Sequence, residues 1–216
     1  MKDDASKGEF GDNAQEAHSQ SADESCVLLK HLKMNYEDVI KVLIKVVEER
    51  DAYTKGHSEH VCKYAVKLAR KLGLPNEMVE EIKEASLLHD IGKIAIDERI
   101  LNKPGPLTKE EFEKILSHPE IGARIVKQSR AFRPLVSAVR HHHERFAGGG
   151  YPNPALKKKR IPLYARIICI ADAWDAMRSN RAYRKALSRR EAISELKACT
   201  GTHFDPGLVS AFLGVI

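Results

Sequence analysis

Apolar residues recur every three or four positions through most of this chain and show no convincing alternation, so the pattern predicts consecutive helices rather than strands. Val39, Val42, Leu43, Val46 and Val47 fall at helical spacing and give an amphipathic helix over 26–50 that ends near Arg50. A second stripe, His57, Val61, Ala65, Leu68 and Leu72, is closed by Gly73, which suits the left-handed residue past a helix end. Pro75 can open the next helix, whose inward face of Ile82, Ala85 and His89 carries a histidine to the interior. The turn-rich NKPGP (Asn102–Pro106) interrupts the periodicity. Thr108 and Glu111 then have capping-box spacing, and their helix is expected to deliver His118 just before Pro119. Leu135, Val139 and His142 share a face that ends in the run His141–His143, followed by the glycine-rich AGGGYPNP. Pro162 starts a helix with Ile168, Asp172 and Asp175 on one side. A second capping box, Ser188 to Glu191, and Gly201 frame another helix before a short final one. The expected class is all-α, a single helical-bundle domain.

Composition changes this picture mainly at the N-terminus. The first 25 residues carry seven acids against two lysines and few large apolar groups, which predicts a disordered acidic tail. The expected organisation is therefore a tail over 1–25, a helix over 26–50 leading in, and a domain over 51–216. That helix could relay an input, pack on the domain or pair two copies into a homodimer; its periodicity does not separate these. No apolar run of about 18 residues and no signal-peptide core occur, so a cytoplasmic location away from membranes is expected. The net charge is +6, and the tail's −5 leaves +11 on the remainder. Such a body attracts phosphate-bearing polyanions or is simply a solvated basic surface. Nucleic acid is disfavoured as a partner, because aromatics make up only 6% and form no basic-aromatic platform. The four cysteines form no CxxC pair and read as buried thiols rather than as zinc or disulfide positions.

Histidine carries the chemistry. There are ten, and His57, His89, His118, His142 and His143 each reach a buried or terminal helical position, joined by the carboxylates Asp90 and Asp172. A single such histidine is usually a hydrogen-bonded core residue. Several together would each cost about 1–3 kcal/mol if left unpaired, and one shared metal centre satisfies them all. Five histidines and two carboxylates exceed one tetrahedral ion, and the lack of cysteine disfavours structural zinc. Two divalent ions fit better, with iron or manganese suiting imidazole and carboxylate ligands, while zinc, cobalt and nickel stay open on ligand type. Ions about 3.5–4 Å apart, bridged by carboxylate and hydroxide, would supply a nucleophile and neutralise charge on an attacked phosphorus.

The segments RDAYTKGHSEHV (Arg50–Val61), LLHDIGKIAI (Leu87–Ile96), ILNKPGPLTKEEF, SHPEIG (Ser117–Gly122), HHERFAGGGYP (His142–Pro152) and ARIICIADAWDAMRSNRAYR (Ala165–Arg184) resemble, in order, the motifs of the HD-GYP family. The resemblance covers nearly everything after residue 25. It implies an HD-type helical bundle and a metal-dependent phosphodiesterase that hydrolyses cyclic di-GMP to the linear dinucleotide, GMP or both. It places His57, His89, Asp90 and Asp172 on one ion, and His118, His142 and His143, with Asp90 bridging, on the other. Lys93 corresponds to a family lysine at the scissile phosphate or its water, Arg181 and Arg184 to basic substrate contacts, and Tyr151 to the tyrosine of the GYP loop. Asp175 corresponds to a second aspartate that orients ligands. Tyr53 stands where some members have a glutamate for a third metal, which favours two ions. Phe146, Ala147, Asn180 and Ala182 also depart from the family pattern, and bear on loop contacts and substrate affinity rather than on the ligands.

The altered loop keeps a second reading open, a module that binds the cyclic dinucleotide or docks a diguanylate cyclase domain with little or no turnover. A simpler HD-type phosphohydrolase for a linear nucleotide would need fewer ligands than His118, His142 and His143 provide.

Overall fold

A computed structural model describes residues 31, 36–51, 55–180 and 185–216, and these described residues fall into two units divided between Val42 and Leu43. The expected tail over 1–25, Tyr53, Ala182, Arg181 and Arg184 lie outside the described residues. In the first unit residue 31 and residues 36–42 are helical, the latter opening a helix over 36–48 that we label α1. The second unit continues α1 and adds α2 (His57–Lys71), α3 (Asn76–Leu88), a 3-10 turn (Ile91–Ala95), α4 (Glu98–Leu101), α5 (Lys109–Leu116), α6 (His118–Val126), α7 (Val136–His141), α8 (Leu163–Arg178), α9 (Arg189–Ala198) and α10 (Pro206–Leu213). Among the described residues there is no strand, only one isolated bridge between Thr200 and Phe204.

The centre of the second unit is α8. Ile167, Ile168, Ile170, Ala171 and Trp174 are all buried, so this helix is apolar nearly all round and belongs in the interior. It packs against α2, α7, α9 and α10, and α2 packs in turn on α3. Tyr64, Trp174 and Phe212 meet edge to face with ring centroids 6.0–6.1 Å apart, which ties α2, α8 and α10 together. Both capping boxes form, Thr108 with Glu111 and Ser188 with Glu191. Gly73 takes a left-handed φ of 70° just past α2.

Two expectations are corrected. The buried face of α1 is Ile40, Ile44 and Val47, while Val39, Val42 and Val46 are exposed. Of the expected stripe Val47 is buried and Leu43 half-buried, so the periodicity is right in part; both faces of this helix are rich in β-branched residues, and the pattern does not separate them fully. His118 does not finish the helix capped by Thr108; that helix stops at Leu116, and His118 opens α6, with Pro119 in its first turn. Proline at that position loses no helical hydrogen bond and presets φ, which explains the restart.

One backbone approach positions the site. A Cβ built on Gly92 would lie 2.0 Å from the carbonyl oxygen of His118 and 2.6 Å from the backbone nitrogen of Gly122. The 3-10 turn after Asp90 and the first turn of α6 are thus in direct backbone contact, which only glycine permits.

Candidate metal centre

The bundle brings helix ends together. His89 caps α3 at its C-terminus, His142 caps α7, His118 starts α6 immediately after α5, and His57 is the first residue of α2. Asp172 and Asp175 project from α8 into the same region.

Three of the histidines are anchored alike. Nδ1 of His89 lies 2.6 Å from the Ser86 carbonyl, Nδ1 of His118 2.8 Å from that of Ile115, and Nδ1 of His142 2.7 Å from that of Val139. In every case the acceptor is three residues back, a carbonyl left free near a helix end. Nδ1 of His57 instead meets Asp175 Oδ2 at 2.7 Å, and the other oxygen of Asp175 lies 3.1 Å from Nδ1 of the exposed His60. For His89, His118 and His142, donation from Nδ1 to a carbonyl fixes the tautomer and leaves Nε2 as a lone-pair donor facing the centre, the arrangement in which histidine ligates a metal; His57 must first give up a proton from Nε2.

Asp90 sits among these inward nitrogens and divides them. Its Oδ1 lies 3.2 Å from His118 Nε2 and 3.9 Å from His142 Nε2, whereas Oδ2 lies 3.5 Å from His89 Nε2 and 4.0 Å from His57 Nε2. Two groups that could hold a metal ion result, His57, His89 and Asp90 on one side and Asp90, His118, His142 and His143 on the other, each with donor atoms within 4.8 Å of one another. Asp172 belongs to neither group but touches both, with Oδ1 3.3 Å from His57 Nε2 and Oδ2 4.0 Å from His143 Nδ1. His89 Nε2 is fully buried and has no hydrogen-bond partner. A buried nitrogen left this way is costly unless something accepts its lone pair. Divalent cations fit this donor set.

The electrostatics suit cation binding. Burial and neighbouring imidazoles hold His142 well below its ordinary pKa, and burial brings His143 down to about 3, so both stay neutral, as metal ligation requires. His89 is lowered as well, chiefly by burial. His57 goes the other way: burial opposes its charge, but Asp172 and Asp175 prevail and raise it to about 10. Burial would raise Asp90, yet Lys93, His89 and His118 hold it well below the usual carboxylate range.

Lys93 Nζ lies 2.8 Å from Asp90 Oδ2 and 3.1 Å from Asp51 Oδ2, and its pKa is raised because the two carboxylates outweigh burial. Tyr151 stacks on His143 with centroids 4.7 Å apart, and burial raises its phenol pKa, so it stays protonated. The loop that carries it folds back tightly: a Cβ on Gly150 would lie 2.4 Å from the nitrogen of Arg145 and 2.5 Å from Cα of Glu144.

Two residues here escape a reading of the sequence. Asp51 is buried and holds Lys93, a partnership across 42 residues that leaves no trace in local spacing. Glu144, also buried, accepts the backbone N–H of Asn153 at 2.7 Å and so pins the loop beside Tyr151, while its Oε2 has no hydrogen-bond partner. Its place directly between the histidine run and the glycine loop was the available hint.

A family model described as the HD domain matches residues 41–208. The chain is 44% identical over 167 residues to a cyclic di-GMP phosphodiesterase of Pseudomonas aeruginosa, covering 77% of this chain and 40% of the relative. It is 40% identical over 186 residues to a cyclic di-GMP phosphodiesterase of Thermotoga maritima, covering 82% and 50%. A 3'3'-cGAMP-specific phosphodiesterase of Vibrio cholerae is 36% identical over 194 residues, covering 88% and 37%. The chain thus spans half or less of the length of these curated relatives. Among solved structures, a cyclic GMP-AMP-specific phosphodiesterase of V. cholerae aligns with a TM-score of 0.61 at 19% identity, over 81% of this chain and 48% of that one. The HD domain of the L. monocytogenes phosphodiesterase PgpH, in complex with cyclic-di-AMP, aligns at 0.55 and 20% identity, over 80% and 92%. These structural likenesses concern the fold.

Proposed function

This chain belongs to the HD domain family, and from that premise we propose that it is a metal-dependent phosphodiesterase of the HD-GYP type acting on cyclic di-GMP. The observation that carries the proposal is the split of Asp90, whose two oxygens face separate sets of imidazole nitrogens. A carboxylate so placed suits two ions better than one, and the all-nitrogen-and-oxygen donor set suits iron or manganese. We assign His57, His89, Asp90 and Asp172 to one ion and Asp90, His118, His142 and His143 to the other. When bound, such ions act as Lewis acids toward a phosphodiester and lower the pKa of water.

The chain's own groups do the rest. Lys93, held by Asp51 and Asp90, keeps a cation beside the bridging carboxylate, where a non-bridging phosphoryl oxygen can accept from Nζ. Tyr151, kept protonated over His143, offers a neutral O–H donor to the substrate. Arg181 and Arg184 complete the proposed substrate contacts. Among the described residues no helix is long and apolar enough to cross a membrane, and the proposed setting is the cytoplasm.

The test is to purify the protein without oxygen, measure bound metals by elemental analysis, and follow cyclic di-GMP and 3'3'-cGAMP by chromatography. About two ions per chain and cleavage of cyclic di-GMP to the linear dinucleotide or GMP are expected, with Asp90→Ala abolishing both. Metal-loaded protein that binds the dinucleotide but never turns it over would sink the proposal in favour of a binding module.

A further inference from the structure

α6, α7 and the segment between them line an open hollow of about 660 Å³, and none of the residues of the candidate metal centre is in its lining. Arg124 and Lys127 line it from α6, Arg133 from the connecting turn and Arg140 from α7, together with the apolar Ile121 and Val136. Glu120 is the one acid in this lining, and it is already paired with Arg140 at 2.7 Å. Among the described residues no carboxylate forms an ion pair with Arg124, Lys127 or Arg133.

Three unpaired cations gathered on one concave surface repel each other, and concavity strengthens their common field. An anion seated between them relieves that repulsion. Guanidinium groups offer forked donors that match a phosphoryl group, which favours phosphate over a carboxylate of low charge density. The apolar part of the lining suits a flat base or a sugar, and the volume lies in the usual range for small-ligand pockets. A long polyanion would instead call for a track of cations along the surface, and these surround a single hollow.

We propose that this hollow is a second ligand site, separate from the metal centre, that takes a nucleoside phosphate. The occupant would rest against α6, the helix whose first residue is His118. The proposal does not depend on hydrolysis at the metal centre.

The test uses the full chain carrying Asp90→Ala, in chelator, so that the metal centre holds no nucleotide, with GMP and AMP as calorimetric probes. Saturable binding of one nucleotide per chain is expected. Charge reversal by Arg124→Glu with Arg133→Glu should weaken it by about tenfold or more, since each removes a charge-assisted contact. Arg124→Ala with Arg133→Ala should weaken it less, and both variants should keep the parent melting temperature because these side chains are exposed. Inorganic phosphate should compete and guanosine should not. The proposal is overturned if neither nucleotide saturates the protein, if charge reversal leaves binding unchanged, if guanosine competes as well as GMP, or if poly-glutamate binds where the nucleotides do not.

Discussion

Gly92→Ala isolates the part that backbone packing plays in holding the metal centre. The new methyl would lie 2.0 Å from the His118 carbonyl oxygen, and reaching even 3.0 Å, below which real side-chain carbons essentially never sit, requires a shift of about 1 Å. The atoms in the way are backbone, so no rotamer change relieves the clash. Either the 3-10 turn recoils, moving Asp90 and Lys93, or the first turn of α6 recoils, moving His118. Over-packing of this kind destabilises a fold by about 1–3 kcal/mol. A displacement of about 1 Å in a catalytic group can cost on the order of 100-fold in rate. The expected result is a folded protein with a lower urea midpoint, metal occupancy reduced on the His118 side, and hydrolysis of cyclic di-GMP down by about two orders of magnitude. Elemental analysis, urea unfolding and a timed chromatographic assay measure the three quantities separately. A Gly92→Ala protein with full metal content, unchanged midpoint and parental rate would refute the packing argument.

Two further outcomes are expected. Glu144→Ala should release the Asn153 N–H and loosen the loop that lays Tyr151 over His143, raising KM with metal content unchanged, whereas Glu144→Gln keeps an acceptor and should restore KM; equal effects of the two would count against the loop role. In metal-free protein His57 has its pKa raised from 6.5 to about 10, so its charged form stabilises the fold fully below pH 6.5 and that contribution is lost as pH rises through about 10. The urea midpoint of chelated protein should fall across that window, and Asp175→Asn, which removes one of the carboxylates responsible, should flatten the fall; parallel pH profiles for parent and variant would contradict this.

Much of the candidate site is legible in the sequence because most of its histidines sit at helix ends, where periodicity and caps are most informative. His57, His89 and His142 fall at the inner end of an apolar stripe, and the structure brings all three to one centre with His118, His143 and Asp90. Helix α8 was readable for the same reason, since two carboxylates on an apolar segment must face something polar. What stayed hidden is tertiary. Within the second unit's part of α1, Ile44 is buried and Val46 exposed, a difference that a pattern apolar at both positions does not carry. The bond from Asp51 to Lys93 and the contact between Gly92 and α6 join residues whose separations along the chain carry no periodic signal. Glycine in particular reads from sequence as freedom to turn, while at position 92 its value lies in the atom it lacks.

The carbonyl anchors of His89, His118 and His142 also bear on how this protein can drift. Because Ser86, Ile115 and Val139 contribute main-chain oxygens, any residue at those positions offers the same acceptor, and no side-chain replacement there deletes it. Their orientation presents a very small mutational target. His57 differs, since its partner is the carboxylate of Asp175, which a single substitution removes. Lineages that lose activity by neutral decay should therefore break first along the α2 to α8 seam, while substitutions at Ser86, Ile115 and Val139 act through packing and leave the carbonyl anchors in place.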